Sequence, residues 1–156
     1  MNKLIEALDR EFARLHARSR SLVEAVPAEK LYWQPRPSSG ASAVHSCGEH
    51  VLRSAARVEQ TFGGITANLW DDPFEWTLPE SLLTPARVLE YLDEVEATRR
   101  RGFATLRDDA DLQKEFNDPS GRMRTLGELL FETLERAAHY QGRAYATFRL
   151  FSDAKV

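Results

Sequence analysis

TLGELLFETLERAAHYQGRAYATF, residues 125–148, is the stretch on which the fold turns. Leu126, Leu130, Thr133, Ala137, Ala144 and Phe148 recur in it at helical steps, which places them on one stripe of an α-helix. Thr125 followed three residues later by Glu128 is the capping-box pattern, in which two side chains each satisfy a backbone N–H that a helix start leaves over. A helix is therefore expected to open at Thr125 and run to the end of this stretch.

Upstream of it, the same periodicity predicts three more helices. Leu4, Ile5, Leu8, Phe12, Leu15, Leu22 and Val23 form a stripe that ends at Pro27. YWQPRPSSGAS (32–42) then reads as a connection, because each proline forces the residue before it out of helical geometry. From a cap at Ser42, the residues Val44, Cys47, Val51, Ala55, Val58 and Phe62 make a near-heptad seam expected to stop at Gly63-Gly64. ITANLWDDPFEWTLPESLL (65–83) shows no sustained period and is expected to be a long loop, with Trp70, Phe74 and Trp76 packing over the bundle. Thr84-Pro85 is a cap with proline at the first helical position, and Val88, Leu92, Val95, Gly102 and Leu106 carry that helix to about residue 107. Asp118-Pro119-Ser120-Gly121 reads as a turn joining two very short strands. Four helices without a sustained strand pattern predict an all-α, up-down type four-helix bundle with long connections, a single domain over 1–156.

Composition narrows the function. The 156 residues suffice for a core that needs no disulfide or structural metal. A net charge of −3, with 21 basic and 24 acidic residues spread along the chain, offers no cationic face to nucleic acid or anionic lipid. Charges interrupt every apolar run of the N-terminal segment, so neither a signal peptide nor a membrane span is expected, and a cytoplasmic location is. The single cysteine, Cys47, excludes an internal disulfide and any zinc cluster built on cysteines. It sits on the core seam and reads as a buried small hydrophobe.

Glu135 and His139 lie one helical turn apart, with Cβ atoms roughly 5–6 Å from each other, so both can reach one ion. His50 in the second helix is the natural third arm, since two histidines and a glutamate with an open position are a recurrent catalytic zinc arrangement. On a helical wheel it sits beside Ala43, Ser54 and Thr61, small neighbours that would leave a crevice. A plain solvated face stands against this, because a Glu–His pair at this spacing is common on exposed helices. Gly142, Ala146 and Leu150 continue the same stripe, however, and that is not a solvated composition. His16 and His45 read as surface residues, His45 pointing roughly 140° away from His50. A carboxylate-bridged di-iron site needs two Glu-x-x-His motifs, of which there are none, and P-loop, dinucleotide-binding, H-E-x-x-H and G-x-S-x-G motifs are missing too.

The order of LYWQPRPSSGAS, a helix with His50, a long loop, a third helix and TLGELLFETLERAAHYQGRA resembles the DinB/YfiT-like superfamily of metal-binding four-helix bundles over nearly the whole chain. The resemblance implies His50, Glu135 and His139 as metal ligands. The common family form has histidine where Glu135 stands, and a thiol-dependent isomerase branch is similar to this chain in using glutamate. Ala41-Ser42 replaces the family's Trp-Ser pair before the second helix, and the closing helix reads His139-Tyr140-Gln141-Gly142-Arg143 where the family often has two adjacent histidines. What the family implies is a divalent ion, zinc or nickel most often, that activates water or a low-molecular-weight thiol. The anionic Glu135 would also suit manganese or iron(II).

Two functions follow as expectations. One is a metal-dependent enzyme acting on a small molecule, a thiol-dependent S-transferase or isomerase, or a hydrolase. The other is a non-catalytic helical protein, a homodimer or small-ligand binder with a vestigial metal site. A homodimer is expected in either case, because Phe131, Ala138 and Leu150 extend the apolar arc of the closing helix beyond what one bundle covers.

Overall fold

The computed structural model describes residues 2–35, 45–73 and 79–156. The four helices expected from the sequence are there, α1 (Lys3–Ala25), α2 (Cys47–Ala67), α3 (Pro85–Ala104) and α4 (Leu126–Phe148), together with a two-stranded antiparallel hairpin, β1 (Glu115–Asn117) and β2 (Met123–Thr125). The hairpin turns at residues 118–121, where Gly121 takes a positive φ of 83° and Asp118 accepts from the backbone N–H groups of Ser120 and Arg122. Ser42, Val44, Phe74 and Trp76 lie outside the described residues, so the cap and the two aromatics expected there are left aside.

Local chemistry sets the helix ends. The Thr125 hydroxyl accepts from Glu128 N–H while the Glu128 carboxylate accepts from Thr125 N–H, the full capping box. Thr84 likewise accepts from Arg87 N–H, with Pro85 at the first position. The start of α1 is capped from far along the chain, where the Asp109 carboxylate accepts from the N–H groups of Leu4 and Ile5. Leu4 itself, counted in the apolar stripe of α1, is 42% exposed, while Ile5, Leu8, Phe12, Leu15, Leu22 and Val23 are buried.

The glycine pair does not end α2. The helix runs through it to Ala67 and stops at Asn68, which adopts the left-handed conformation at φ 55°. Both glycines serve the returning chain instead. A Cβ on Gly64 would stand 2.3 Å from the Trp70 ring, and one on Gly63 would stand 3.2 Å from the Leu69 carbonyl. Trp70 thus lies flat against the helix, parallel to Phe116 of β1 at 5.6 Å.

Each helix packs mainly on two others, in the ring order α1–α3–α2–α4. The consecutive helices α1 and α2, and α3 and α4, therefore stand at opposite corners of the bundle. Phe12, Phe62 and Phe103 meet at its centre, with Phe12 and Phe62 edge-on at 5.3 Å. The seam between α2 and α4 is made of small and polar side chains: the Ser54 hydroxyl donates to the Ala137 carbonyl, and the hydroxyls of Thr61 and Thr133 bond at 2.6 Å. These bonds tie the two helices together, while Thr61 and Thr133 also line a hollow of about 140 Å³ at the seam. Gln141 fastens α4 to α1 through Leu15 and Ser19.

Candidate metal centre

His50 falls in the first turn of α2 because Ser46, not Ser42, caps this helix, its hydroxyl accepting from Glu49 N–H at 3.1 Å. The imidazole is 3% exposed and its Nδ1 has no hydrogen-bond partner among the described residues. Burial pushes its pKa down to about 4, and the nearby positive charge of His45, Arg143, Arg53 and His139 pushes the same way. It is therefore neutral near pH 7, the form in which an imidazole nitrogen can ligate.

Glu135 and His139 sit on the outer side of α4, both exposed. They line one open pocket of about 240 Å³ together with Arg57, Arg136 and Tyr140. Tyr140 connects this pocket to His50: its ring is 6.5 Å from the His50 ring and inclined to it by 29°, and 5.9 Å from the His139 ring. Of the three sequence-predicted residues, two line this pocket and His50 is buried on the other side of the Tyr140 ring. Among the described residues, no three His, Cys, Asp or Glu side chains are gathered so as to hold a metal ion. The donors fit a divalent cation in kind, a neutral imidazole with an unpartnered nitrogen beside an exposed imidazole and an exposed carboxylate.

His45 is placed differently from the wheel's expectation. It precedes Ser46 and so stands outside the helix, where a rotation of 100° per residue does not apply. Its ring packs edge-on against His50 at 5.7 Å, and its Nδ1 lies 2.5 Å from the Glu49 carboxylate. A carboxylate on one imidazole nitrogen orients the ring and leaves the other nitrogen to act, the arrangement common behind metal-bound histidines. The signal was in the sequence: Ser46-x-x-Glu49 is a helix-start pattern, and it would have moved His45 off the wheel.

His16, read as a surface residue, lies in the α1–α3 interface with its side chain 18% exposed, its Nε2 3.5 Å from Asp93. Burial lowers its pKa, against the opposing charges of Glu96 and Asp93. A wheel of α1 alone cannot register the charged side chains that α3 brings over it. Cys47 is fully buried and burial pushes its thiol up to about 12, so it stays protonated and inert at neutral pH.

Among the described residues, no helix is long and apolar enough to cross a membrane. Comparison with curated proteins and with solved structures returned no match. The profile of the DinB superfamily matches residues 11–141, a span that takes in most of α1, all of α2, α3 and the hairpin, and His50, Glu135 and His139. That span is most of the chain, and the protein belongs to the DinB superfamily.

Proposed function

We propose that the protein is a divalent-metal-dependent enzyme of the DinB type, with His50, Glu135 and His139 as the metal-holding residues. The observation that carries this reading is the buried His50 nitrogen without a partner among the described residues, set one tyrosine ring away from a pocket lined by Glu135 and His139. A divalent ion there, zinc or nickel foremost and manganese or iron(II) as alternatives suited to the carboxylate, would supply a Lewis acid that lowers the pKa of a water or thiol. The surrounding residues do the rest. Tyr140 offers a hydroxyl-bearing ring at the pocket wall, Arg57 and Arg136 bring positive charge to its rim, and the Glu49 carboxylate holds the His45 ring against His50. Such a site suits a thiol-dependent S-transferase or isomerase, with a low-molecular-weight thiol as cosubstrate, or a hydrolase. The proposed setting is the cytoplasm.

A second reading, a non-catalytic small-ligand binder with a vestigial site, is favoured by the exposure of Glu135 and His139 and by the lack of a gathered three-donor cluster among the described residues. Both readings include a homodimer, because Phe131 of α4 and Leu150, in the turn just after that helix, are each more than half exposed.

Metal content separates the two. Protein purified without a metal-affinity step is dialysed against zinc, nickel and manganese, and bound metal is measured by mass spectrometry for wild type, Glu135→Ala and Glu135→His. The enzyme reading expects one ion per chain, most of it lost in Glu135→Ala and retained in Glu135→His. It also expects metal to raise the melting temperature, an ion at a hundredfold excess over Kd adding about 2.7 kcal/mol. No bound metal in wild type and superimposable melts with or without EDTA would leave the vestigial-site reading standing.

A further inference from the structure

The pocket at Glu135 and His139 is one half of a longer trough. Arg57 of α2 and Arg136 of α4 also line a second hollow of about 140 Å³, together with Arg124 of β2, Trp70 and the hairpin turn. Three guanidiniums therefore share one trough along the outer side of the α2–α4 seam. In the second hollow they face two carboxylates, Glu132 and Asp118, and in the first Arg57 and Arg136 face one, Glu135. With Asp72, which pairs with Arg57, the charges of each hollow balance, and what the guanidiniums offer is N–H groups beyond those their carboxylates engage.

The carboxylates do not exhaust the donors. Glu132 holds Arg124 and Arg136, Asp72 holds Arg57 at 2.5 Å, and Asp118 is engaged by its own turn. The Arg124 side chain is 12% exposed, yet its Nε is buried with no acceptor among the described residues. A desolvated charged donor without an acceptor costs free energy, and an anionic oxygen arriving there recovers it. Guanidinium presents N–H groups in a planar fork that matches the two oxygens of a carboxylate or phosphate. Trp70 is fixed as a wall, since its ring is sandwiched between Gly64 and Phe116 and its carbonyl accepts from Gln60.

We propose that this trough binds an oxyanion, the carboxylate or phosphate group of a small substrate, across Arg57, Arg124 and Arg136, with the remainder of that substrate lying toward Glu135 and His139. The oxyanion site stands on the guanidiniums alone; only the role of the remainder rests on the metal-centre reading above.

Inorganic phosphate and succinate are titrated calorimetrically into the chain as purified and again after EDTA treatment, and zinc is titrated separately. Saturable binding of one of the two anions in both preparations is expected, phosphate and succinate distinguishing the two headgroups. Arg136→Gln and Arg124→Lys should each raise that Kd roughly tenfold, while Arg14→Gln on the far helix leaves it unchanged. Arg136 is 56% exposed and its loss does not threaten folding; Arg124→Lys keeps the charge beside Glu132 and removes only the fork. Lack of saturable binding by either anion, or equal affinity in Arg136→Gln and Arg14→Gln, overturns the proposal even if zinc binds. Anion binding without zinc binding overturns the metal centre and leaves the trough.

Discussion

Acidification should destabilise this protein through His50 before any carboxylate titrates. The imidazole is 3% exposed, and burial pushes its pKa from 6.5 in the unfolded chain down to about 4 in the folded one. Below pH 6.5 the unfolded chain takes up a proton that the native state refuses. The stability contributed by the neutral imidazole is therefore complete above pH 6.5, falls as pH drops through the interval, and stops falling near pH 4, where native His50 titrates as well. With those two pKa values, linkage puts the loss between pH 8 and pH 5 at about 2 kcal/mol. Urea unfolding in EDTA at pH 8, 6.5 and 5 reads this directly, provided His16 is removed first, since its lowered pKa acts in the same window and with the same sign. The comparison is thus His16→Gln against His16→Gln/His50→Gln. Contributions from carboxylates such as Asp111, held down to about 2 mainly by Lys114, fade at lower pH and are common to both proteins. The double variant should show a pH slope shallower by about 2 kcal/mol over the interval. Parallel stability curves for the two proteins would refute the claim that burial of His50 sets its protonation.

Three further outcomes are expected. Arg99, 3% exposed between α1 and α3 and bonded to Glu96 and Asp9, should cost about 3–5 kcal/mol when replaced by methionine, because Glu96 is left buried with Arg100 alone, and Arg99→Met/Glu96→Leu should regain most of that loss in the same urea assay. Gly64→Ala should lower stability by about 1–3 kcal/mol, since the added Cβ falls 2.3 Å from Trp70; the displaced indole should emit at longer wavelength, and an unshifted spectrum contradicts the packing described. For the proposed dimer, light scattering should give twice the 17.8 kDa chain mass, falling to one chain in Phe131→Glu/Leu150→Glu, whereas a monomer mass for wild type at every concentration rejects it.

What the sequence by itself determined is the part governed by neighbours along the chain. The four apolar stripes, the Thr125–Glu128 box, the Thr84-Pro85 start and the turn at 118–121 depend on contacts within a few residues, so periodicity and capping chemistry suffice to read them. The common face of Glu135 and His139 was legible for the same reason: one helical turn separates them wherever the helix packs. Where a second element intervenes, local reading stops. Gly63-Gly64 has the composition of a helix stop, but tertiary packing uses the missing side chains to seat Leu69 and Trp70, and the helix continues. His45 joins His50 rather than opposing it because the chain enters α2 at Ser46 from outside the helix. The burial of His50, the exposure of His139 and the sharing of Arg57 and Arg136 between two hollows follow from which helices meet in the ring α1–α3–α2–α4. That order is set by side chains far apart in sequence interdigitating at close packing, and no single stripe encodes its partner.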